Sequence, residues 1–207
     1  MPLETVLLAT ADGLTLEGDA FVPSEPWAAA VVAHPHPLYG GDRRNSVVEA
    51  LCRALHDTGV ATVRFDFRGV GRSEGEHDDG QAERLDVVAA LDVAAPFAAD
   101  GPVLVAGYSF GALVALDVVD PRLSAWLAVA PPLPAARAEP LASTDHRPKL
   151  LLVPDHDQFS PPSVATERAA GWRSTTIETI PMADHFLAGA TAKVADHAVA
   201  YLRELAS

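Results

Sequence analysis

The sequence predicts an α/β fold built on a mostly parallel, doubly wound sheet. Apolar strand-like runs alternate with helical patterns along most of the chain, an order typical of parallel sheets with helices on both faces. Residues 27–33 are almost continuously apolar, as expected of a strand covered on both sides. Residues 102–108 run into Gly-Tyr-Ser-Phe-Gly and then into an apolar helical pattern, which indicates a sharp strand-to-helix turn.

The strand-like segments share β-branched or otherwise apolar composition. The predicted strands are residues 5–10, 14–22, 27–33, 60–67, 102–108, 124–130, 149–153 and 175–180. The first two form an edge hairpin, because Asp12-Gly13 is a strong turn pair. Two prolines make residues 34–41 a predicted loop.

The helical segments show apolar residues at three- and four-residue spacing. The predicted helices are residues 45–58, 81–95, 110–119, 163–170 and 187–205. Gly59 ends the first of them and Pro96 ends the second. Residues 68–73 between the two helices form a glycine-rich turn, and Arg68 is expected to pair with Asp66.

The length and the elements predict a single domain over residues 1–207. A net charge of −13 argues against nucleic acid or an anionic membrane as a partner. Only Cys52 is present, so no intramolecular disulfide can form. The first residues lack the basic start and long apolar core that are typical of a signal peptide, and no apolar run is long enough to span a bilayer. We therefore expect a cytoplasmic protein in which Cys52 is a core residue.

Ser109 is the first candidate for chemistry. It lies at the centre of Gly107-Tyr108-Ser109-Phe110-Gly111, where both glycines are expected to be sterically required. A serine nucleophile needs a histidine base, which an acidic side chain orients. Asp155 and Asp157 follow one predicted strand and His185 follows the next. These groups can converge because the carboxyl ends of parallel strands share one edge of a sheet.

Five segments in order resemble small, capless bacterial serine hydrolases of the α/β-hydrolase superfamily. They are residues 34–41, 64–73, 107–111, 156–161 and 184–186. The resemblance implies an α/β-hydrolase fold with no or minimal cap domain, because only residues 131–148 separate the two strands between which a cap is usually inserted. It also implies that Ser109 is the nucleophile, His185 the base and Asp157 the acid.

Asp155 remains the rival for the acid. The family pattern favours Asp157, because Pro161 follows it at the interval typical of the family. The chain departs from that pattern at Pro154, where glycine is usual.

The same resemblance implies an oxyanion hole, with the backbone N–H of Phe110 as one donor. The second donor is expected from residues 34–41, where relatives often have His-Gly and this chain has His-Pro. Proline has no N–H, so His36 is the expected donor and Leu38 the alternative. Tyr39, Phe159 and Phe186 are expected to bind substrate. His34 is expected to brace its loop by hydrogen bonds rather than to bind metal with His36.

The expected activity is hydrolysis of a small carboxylic ester or thioester through an acyl-enzyme on Ser109, without metal or organic cofactor. The expected partner is a small-molecule ester. An aminopeptidase-like amide hydrolase or an acyltransferase would use the same three side chains. A non-catalytic binding protein on this scaffold is the alternative from another class.

Overall fold

One eight-stranded sheet organises the computed structural model, which describes residues 4–206. Its strands are β1 (Glu4–Ala9), β2 (Thr15–Phe21), β3 (Ala28–Ala33), β4 (Val60–Phe65), β5 (Val103–Tyr108), β6 (Ala125–Val129), β7 (Lys149–Pro154) and β8 (Thr175–Ile180). Their order across the sheet is β1-β2-β4-β3-β5-β6-β7-β8. Strands β3 to β8 run parallel, and β2 pairs antiparallel with both β1 and β4.

Two helical layers cover the sheet. The helices are α1 (Ser46–Asp57), α2 (Glu83–Ala94), α3 (Phe110–Leu116), α4 (Pro162–Arg168) and α5 (Thr191–Leu205). Helices α1 and α5 pack on one face, and α2, α3 and α4 pack on the other. Alternate residues of β3 enter the two cores, since Val31 faces the layer of α2 and Val32 the layer of α1. The predicted doubly wound sheet is confirmed.

Local sequence accounts for the ends of these elements. Asn45 caps α1, because its side chain accepts the N–H of Val47 at 3.0 Å. Helix α3 ends at Leu116, earlier than predicted, because a β-branched pair and Pro121 follow. Helix α5 begins four residues late, because Leu187 and Gly189 have φ values of +56° and +75°, outside the helical region.

Two predicted irregular segments contain short 3-10 turns. One turn covers Pro37–Tyr39 in the loop after β3, where proline at the first position is compatible with helical φ. Between β6 and β7 the chain forms only the turns Leu133–Ala135 and Leu141–Thr144. No inserted domain therefore separates these strands, and the carboxyl edge of the sheet is left open.

Candidate active site

The turn between β5 and α3 holds Ser109 in a strained conformation. Its φ and ψ are 54° and −117°, a combination that L-residues rarely adopt. A Cβ atom on Gly107 would lie 2.2 Å from the carbonyl oxygen of Gly111, and one on Gly111 would lie 2.5 Å from that of His34. The two glycines are therefore required, as predicted, and the turn directs the Ser109 side chain away from the sheet.

Ser109, His185 and Asp157 form a continuous hydrogen-bonded chain. Ser109 Oγ lies 2.9 Å from His185 Nε2, and His185 Nδ1 lies 2.8 Å from Asp157 Oδ2. The second oxygen of Asp157 accepts the N–H groups of Phe159 and Ser160 at 2.8 and 3.0 Å. This bonding assigns the proton of the neutral imidazole to Nδ1, which leaves Nε2 free to accept the proton of the serine hydroxyl.

Asp155 lies in the same loop but serves another contact. Its carboxylate accepts the N–H groups of Met182 and Ala183 at 3.0 and 3.1 Å. These two hydrogen bonds lower the pKa of Asp155, and the bond from Met182 has the larger effect. Asp155 therefore fixes the backbone that leads to His185, and Asp157 is the carboxylate in contact with the imidazole.

Tyr108 adds a contact that sequence reasoning missed. Its hydroxyl donates a hydrogen bond to the backbone carbonyl of His185 at 2.9 Å. Burial raises the pKa of Tyr108 to about 12, so the hydroxyl stays protonated and can donate. The bond ties the strand that carries Ser109 to the loop that carries His185. No motif marks this tyrosine, because its partner is a backbone atom 77 positions away.

The proposed oxyanion donors lie beside Ser109. Within residues 4–206, the backbone N–H groups of His36 and Phe110 donate to no other group. The N–H of Leu38, the alternative donor, is engaged by His36 Nδ1 at 3.2 Å. The rings of His36 and Phe110 have centroids 4.9 Å apart. Both N–H groups are thus without an acceptor in the described part of the chain, and that of Phe110 is at the first residue of α3.

His34 braces the same loop, as predicted. Its Nδ1 lies 2.6 Å from the carbonyl oxygen of Pro35, and its Nε2 accepts the N–H of Phe67 at 3.0 Å. Burial lowers the pKa of His34 to about 4, which keeps the imidazole neutral. Both ring nitrogens are occupied by backbone groups that follow β3 and β4.

The expected pairing of Asp66 with Arg68 is wrong. Asp66 accepts the backbone N–H of Arg43 at 2.8 Å and pairs with its guanidinium group. Arg68 turns the other way, to Asp86 of α2 at 2.6 Å and Asp12 at 2.8 Å. Both residues lie beyond the end of β4, where the partners are set by the path of the loop: Arg43 lies beside Asp66, and Asp12 and Asp86 lie beside Arg68.

The three residues expected to bind substrate divide into two groups. Phe159 and Phe186 lie against the His185 ring, with centroid distances of 4.6 and 5.8 Å. Tyr39 contacts the His36 ring at 4.7 Å and is 87% exposed. A cleft of about 490 Å³ lies between the loop after β3 and the loop after β4. Ser109, Asp157 and His185 are not among the residues that line this cleft.

Cys52 is a core residue of α1, 1% exposed, and burial raises its pKa to about 12. Within residues 4–206, no three His, Cys, Asp or Glu side chains cluster as metal ligands. Over the same residues, none of the helices has the length and apolar character needed to cross a membrane.

Comparison with known proteins gives a consistent result. The model of the Alpha/beta hydrolase family matches residues 21–206. An alpha-beta serine hydrolase homologue from Coxiella burnetii is 31% identical, with 96% of this chain and 97% of that chain covered and a TM-score of 0.84. An alpha/beta serine hydrolase without lid from Xanthomonas campestris is 26% identical, with 99% and 96% covered and a TM-score of 0.85.

Among curated proteins, an uncharacterized protein of Rickettsia prowazekii is 42% identical over 109 residues, which are 50% of this chain and 45% of that one. The chain spans about half the length of the curated relatives it matches. The solved structures instead match over nearly their full length. These matches confirm the resemblance drawn from the sequence, including the lack of a cap.

Proposed function

Because this chain belongs to the alpha/beta hydrolase family, we propose that it is a serine hydrolase that cleaves small carboxylic esters through an acyl-enzyme on Ser109. The observation that carries the proposal is the unbroken contact from Ser109 Oγ through His185 to Asp157, with distances of 2.9 and 2.8 Å. Such a relay raises the nucleophilicity of a serine hydroxyl at neutral pH.

The first step is attack on the ester carbonyl. Ser109 Oγ bonds to the carbonyl carbon while His185 Nε2 takes the hydroxyl proton, and the carbonyl π electrons move to oxygen. The N–H groups of His36 and Phe110 stabilise this oxyanion. The buried carboxylate of Asp157, 2% exposed, stabilises the imidazolium that forms.

Collapse of the intermediate breaks the bond to the alcohol, which takes the proton from His185. Water then attacks the acyl-enzyme by the same steps, with His185 as base, and releases the acid. The leaving alcohol has to lie close to His185 to receive its proton. That side of the site is flanked by Phe159 and Phe186, which supports an apolar or aromatic alcohol group.

The proposal extends to a single-domain enzyme whose partner is a small molecule. A thioester would follow the same path with a thiol as the leaving group. Amide cleavage and acyl transfer to another acceptor would use the same relay, so the experiment includes both competing reactions.

The test measures hydrolysis of p-nitrophenyl butyrate by wild-type protein and Ser109→Ala. We expect the variant to lose at least about 10³-fold in kcat, since the nucleophile is absent. Ser163→Ala, at an exposed serine of α4, is the matched control and should retain wild-type activity. A fluorophosphonate should label wild-type protein at Ser109 alone, as read by peptide mass spectrometry.

The competing reactions are assayed in parallel with the p-nitroanilide of the same acid and with added alcohol as acyl acceptor. Faster anilide than ester cleavage would favour the amide hydrolase, and ester exchange without acid release would favour the acyltransferase. An active Ser109→Ala variant, or wild-type protein that never reacts with the probe, would refute the proposal.

A further inference from the structure

A second histidine–carboxylate contact lies behind the proposed oxyanion donors. His77, in the loop between β4 and α2, has a side chain that is 10% exposed. Its Nδ1 lies 2.7 Å from Oε1 of Glu83, and its Nε2 lies 3.3 Å from Oδ1 of Asp79. Neither carboxylate meets the ring with the geometry of a hydrogen bond. The ring thus lies between two carboxylates, and the proposed reaction steps do not use this imidazole.

The carboxylate of Glu83 anchors the whole segment. Glu83 is the first residue of α2 and is 0% exposed. Besides the contact with His77, it accepts the N–H groups of Asp78 and Gly80 at 2.8 and 2.9 Å. A buried carboxylate with three neighbouring partners fixes the loop in one conformation. The position of the His77 ring is consequently set by α2 rather than by the exposed surface.

The other side of the His77 ring meets the two residues that supply the oxyanion donors. Its centroid lies 4.9 Å from the ring of His36 and 5.3 Å from the ring of Phe110. Gly80 of the same loop also approaches Phe110, since a Cβ built on Gly80 would lie 3.6 Å from that ring. Within residues 4–206, these are the ring contacts through which His77 can influence the site.

From this arrangement we propose that His77 is a positioning residue, whose ring holds His36 and Phe110 so that their N–H groups converge on one oxyanion. The inference rests on the proposed acyl-transfer function. One donor lies in the loop after β3 and the other at the first residue of α3, and their side chains contact each other through rings 4.9 Å apart. The ring of His77 contacts both of these side chains and lies against the buried carboxylate of Glu83 on α2.

The expected effect concerns the transition state more than the bound ester. The oxyanion forms only when Ser109 has attacked, so misplaced donors weaken the tetrahedral species and leave ground-state binding almost unchanged. A shift of about 1 Å in catalytic groups can cost about 10²-fold in rate. A loss in kcat with little change in KM is therefore the signature of this role.

The experiment measures kcat and KM for p-nitrophenyl butyrate and the inhibition constant of an alkyl trifluoromethyl ketone with the same chain length. The ketone carbon bonds to Ser109 Oγ, the hydroxyl proton passes to His185, and the carbonyl electrons move to oxygen. The inhibitor thus creates a stable oxyanion in the place of the reactive one. The affinity of the inhibitor therefore measures how well the two N–H groups stabilise an oxyanion, without the step in which the alcohol leaves.

We expect His77→Ala to lower kcat at least about tenfold and to weaken ketone binding by a similar factor, with KM within about threefold of wild type. His77→Phe keeps a ring of similar size in contact with His36 and Phe110, so it should recover most of both losses. His146→Ala is the matched control, because the His146 side chain is 87% exposed. It should behave as wild type.

Three results would overturn the inference: kcat of His77→Ala within twofold of wild type, lower kcat with unchanged ketone binding, or a phenylalanine variant no better than the alanine variant. If thermal unfolding shows that His77→Ala does not fold, His77→Asn replaces it, with the same expected losses. Wild-type protein that neither hydrolyses the ester nor binds the ketone would contradict the proposed function itself, which is a different outcome from all of these.

Discussion

At the scale of single residues, the site depends on backbone space that only glycine leaves. Ser109 has a positive φ because the chain reverses between β5 and α3 within one residue. The reversal brings the backbone of Gly111 against Gly107 and the backbone of His34 against Gly111. The obstructing atoms all belong to the main chain. A side chain at Gly107 or Gly111 would therefore have to displace the end of a strand or the start of a helix.

Gly107→Ala tests this directly. The added Cβ would lie 2.2 Å from a backbone oxygen, so we expect the free energy of unfolding to fall by at least about 2 kcal/mol and esterase activity to be lost. Urea unfolding followed by circular dichroism measures the first and the p-nitrophenyl butyrate assay the second. Gly171→Ala, at an exposed site with nothing within 4 Å of the new atom, should change stability by less than about 0.5 kcal/mol.

A pair of isosteric substitutions separates the two aspartates after β7. Asp157→Asn removes the charge that holds His185 in the reactive tautomer, so kcat should fall by about 10³- to 10⁴-fold. Asp155→Asn keeps an oxygen that can accept from Met182 or Ala183, and kcat should stay within about tenfold of wild type, since His185 keeps its own partner. If Asp155→Asn lost more ester hydrolysis than Asp157→Asn, Asp155 and not Asp157 would be the acid that orients His185.

At the scale of elements, His34 joins the ends of two neighbouring parallel strands. It follows β3 directly, and its ring accepts the N–H of Phe67 two residues beyond β4. A neutral ring is needed, because an imidazolium has no lone pair with which to accept that N–H. The buried imidazole therefore makes the stability of this edge depend on pH.

Acid should weaken the fold through this residue. The folded-state pKa of His34 is about 4, against 6.5 for an exposed imidazole, so the unfolded chain binds the proton first as pH falls. The contribution of His34 is complete above pH 6.5 and is lost between pH 6.5 and 4, by about 2 kcal/mol between pH 7 and 5. In His34→Gln, the fall in unfolding free energy over that range should be smaller by about this amount.

Denaturant titrations at pH 7 and pH 5 give the comparison. His146→Gln alters a histidine that is 87% exposed, and it should keep the wild-type dependence. Equal pH dependence in His34→Gln and wild type would show that the proton is taken up elsewhere.

The sequence could predict which elements form because their signals are local. Apolar and β-branched runs identified all eight strands, and the turn around Ser109 followed from glycine spacing. The start of α5 was missed because the positive φ of Leu187 comes from tertiary packing and not from a residue type that signals it. Helix α3 was predicted to extend too far for a different reason: Val118 and Val119 continue the helical apolar spacing, but β-branched residues have weak helix propensity.

At the scale of the whole molecule, strand order decides which residues meet. The sequence placed Ser109, Asp157 and His185 at one sheet edge, because that needs only the direction of each strand. It could not place Asp66 with Arg43, Tyr108 with the His185 carbonyl, or His77 with Glu83. Those contacts depend on which strands lie side by side and on the path of each loop, and neither can be inferred from composition or residue spacing.

The open carboxyl edge is a second property of the whole molecule. Eight large apolar side chains are exposed within residues 4–206, and five of them lie on loops at this edge: Leu38, Tyr39, Phe159, Met182 and Phe186. The residues between β6 and β7 make only two short 3-10 turns and cover none of this group. The apolar surface beside Ser109 therefore faces outward, where a substrate can reach it without a conformational change.

An open edge predicts tolerance of bulky alcohols. The test compares two butyrate esters. The first is the ester of a simple phenol, and the second is the ester of the same phenol with a polyethylene glycol chain attached far from the ester bond. Both have the same reactive centre, and no lid has to close over either, so kcat/KM should agree within about threefold. Steady-state release of the two phenols measures this. A preference above about 100-fold for the smaller ester would mean that a segment closes over the site during turnover. The loops that carry Tyr39, Phe159 and Phe186 would then have to move, because they bear the exposed side chains nearest to the reacting groups.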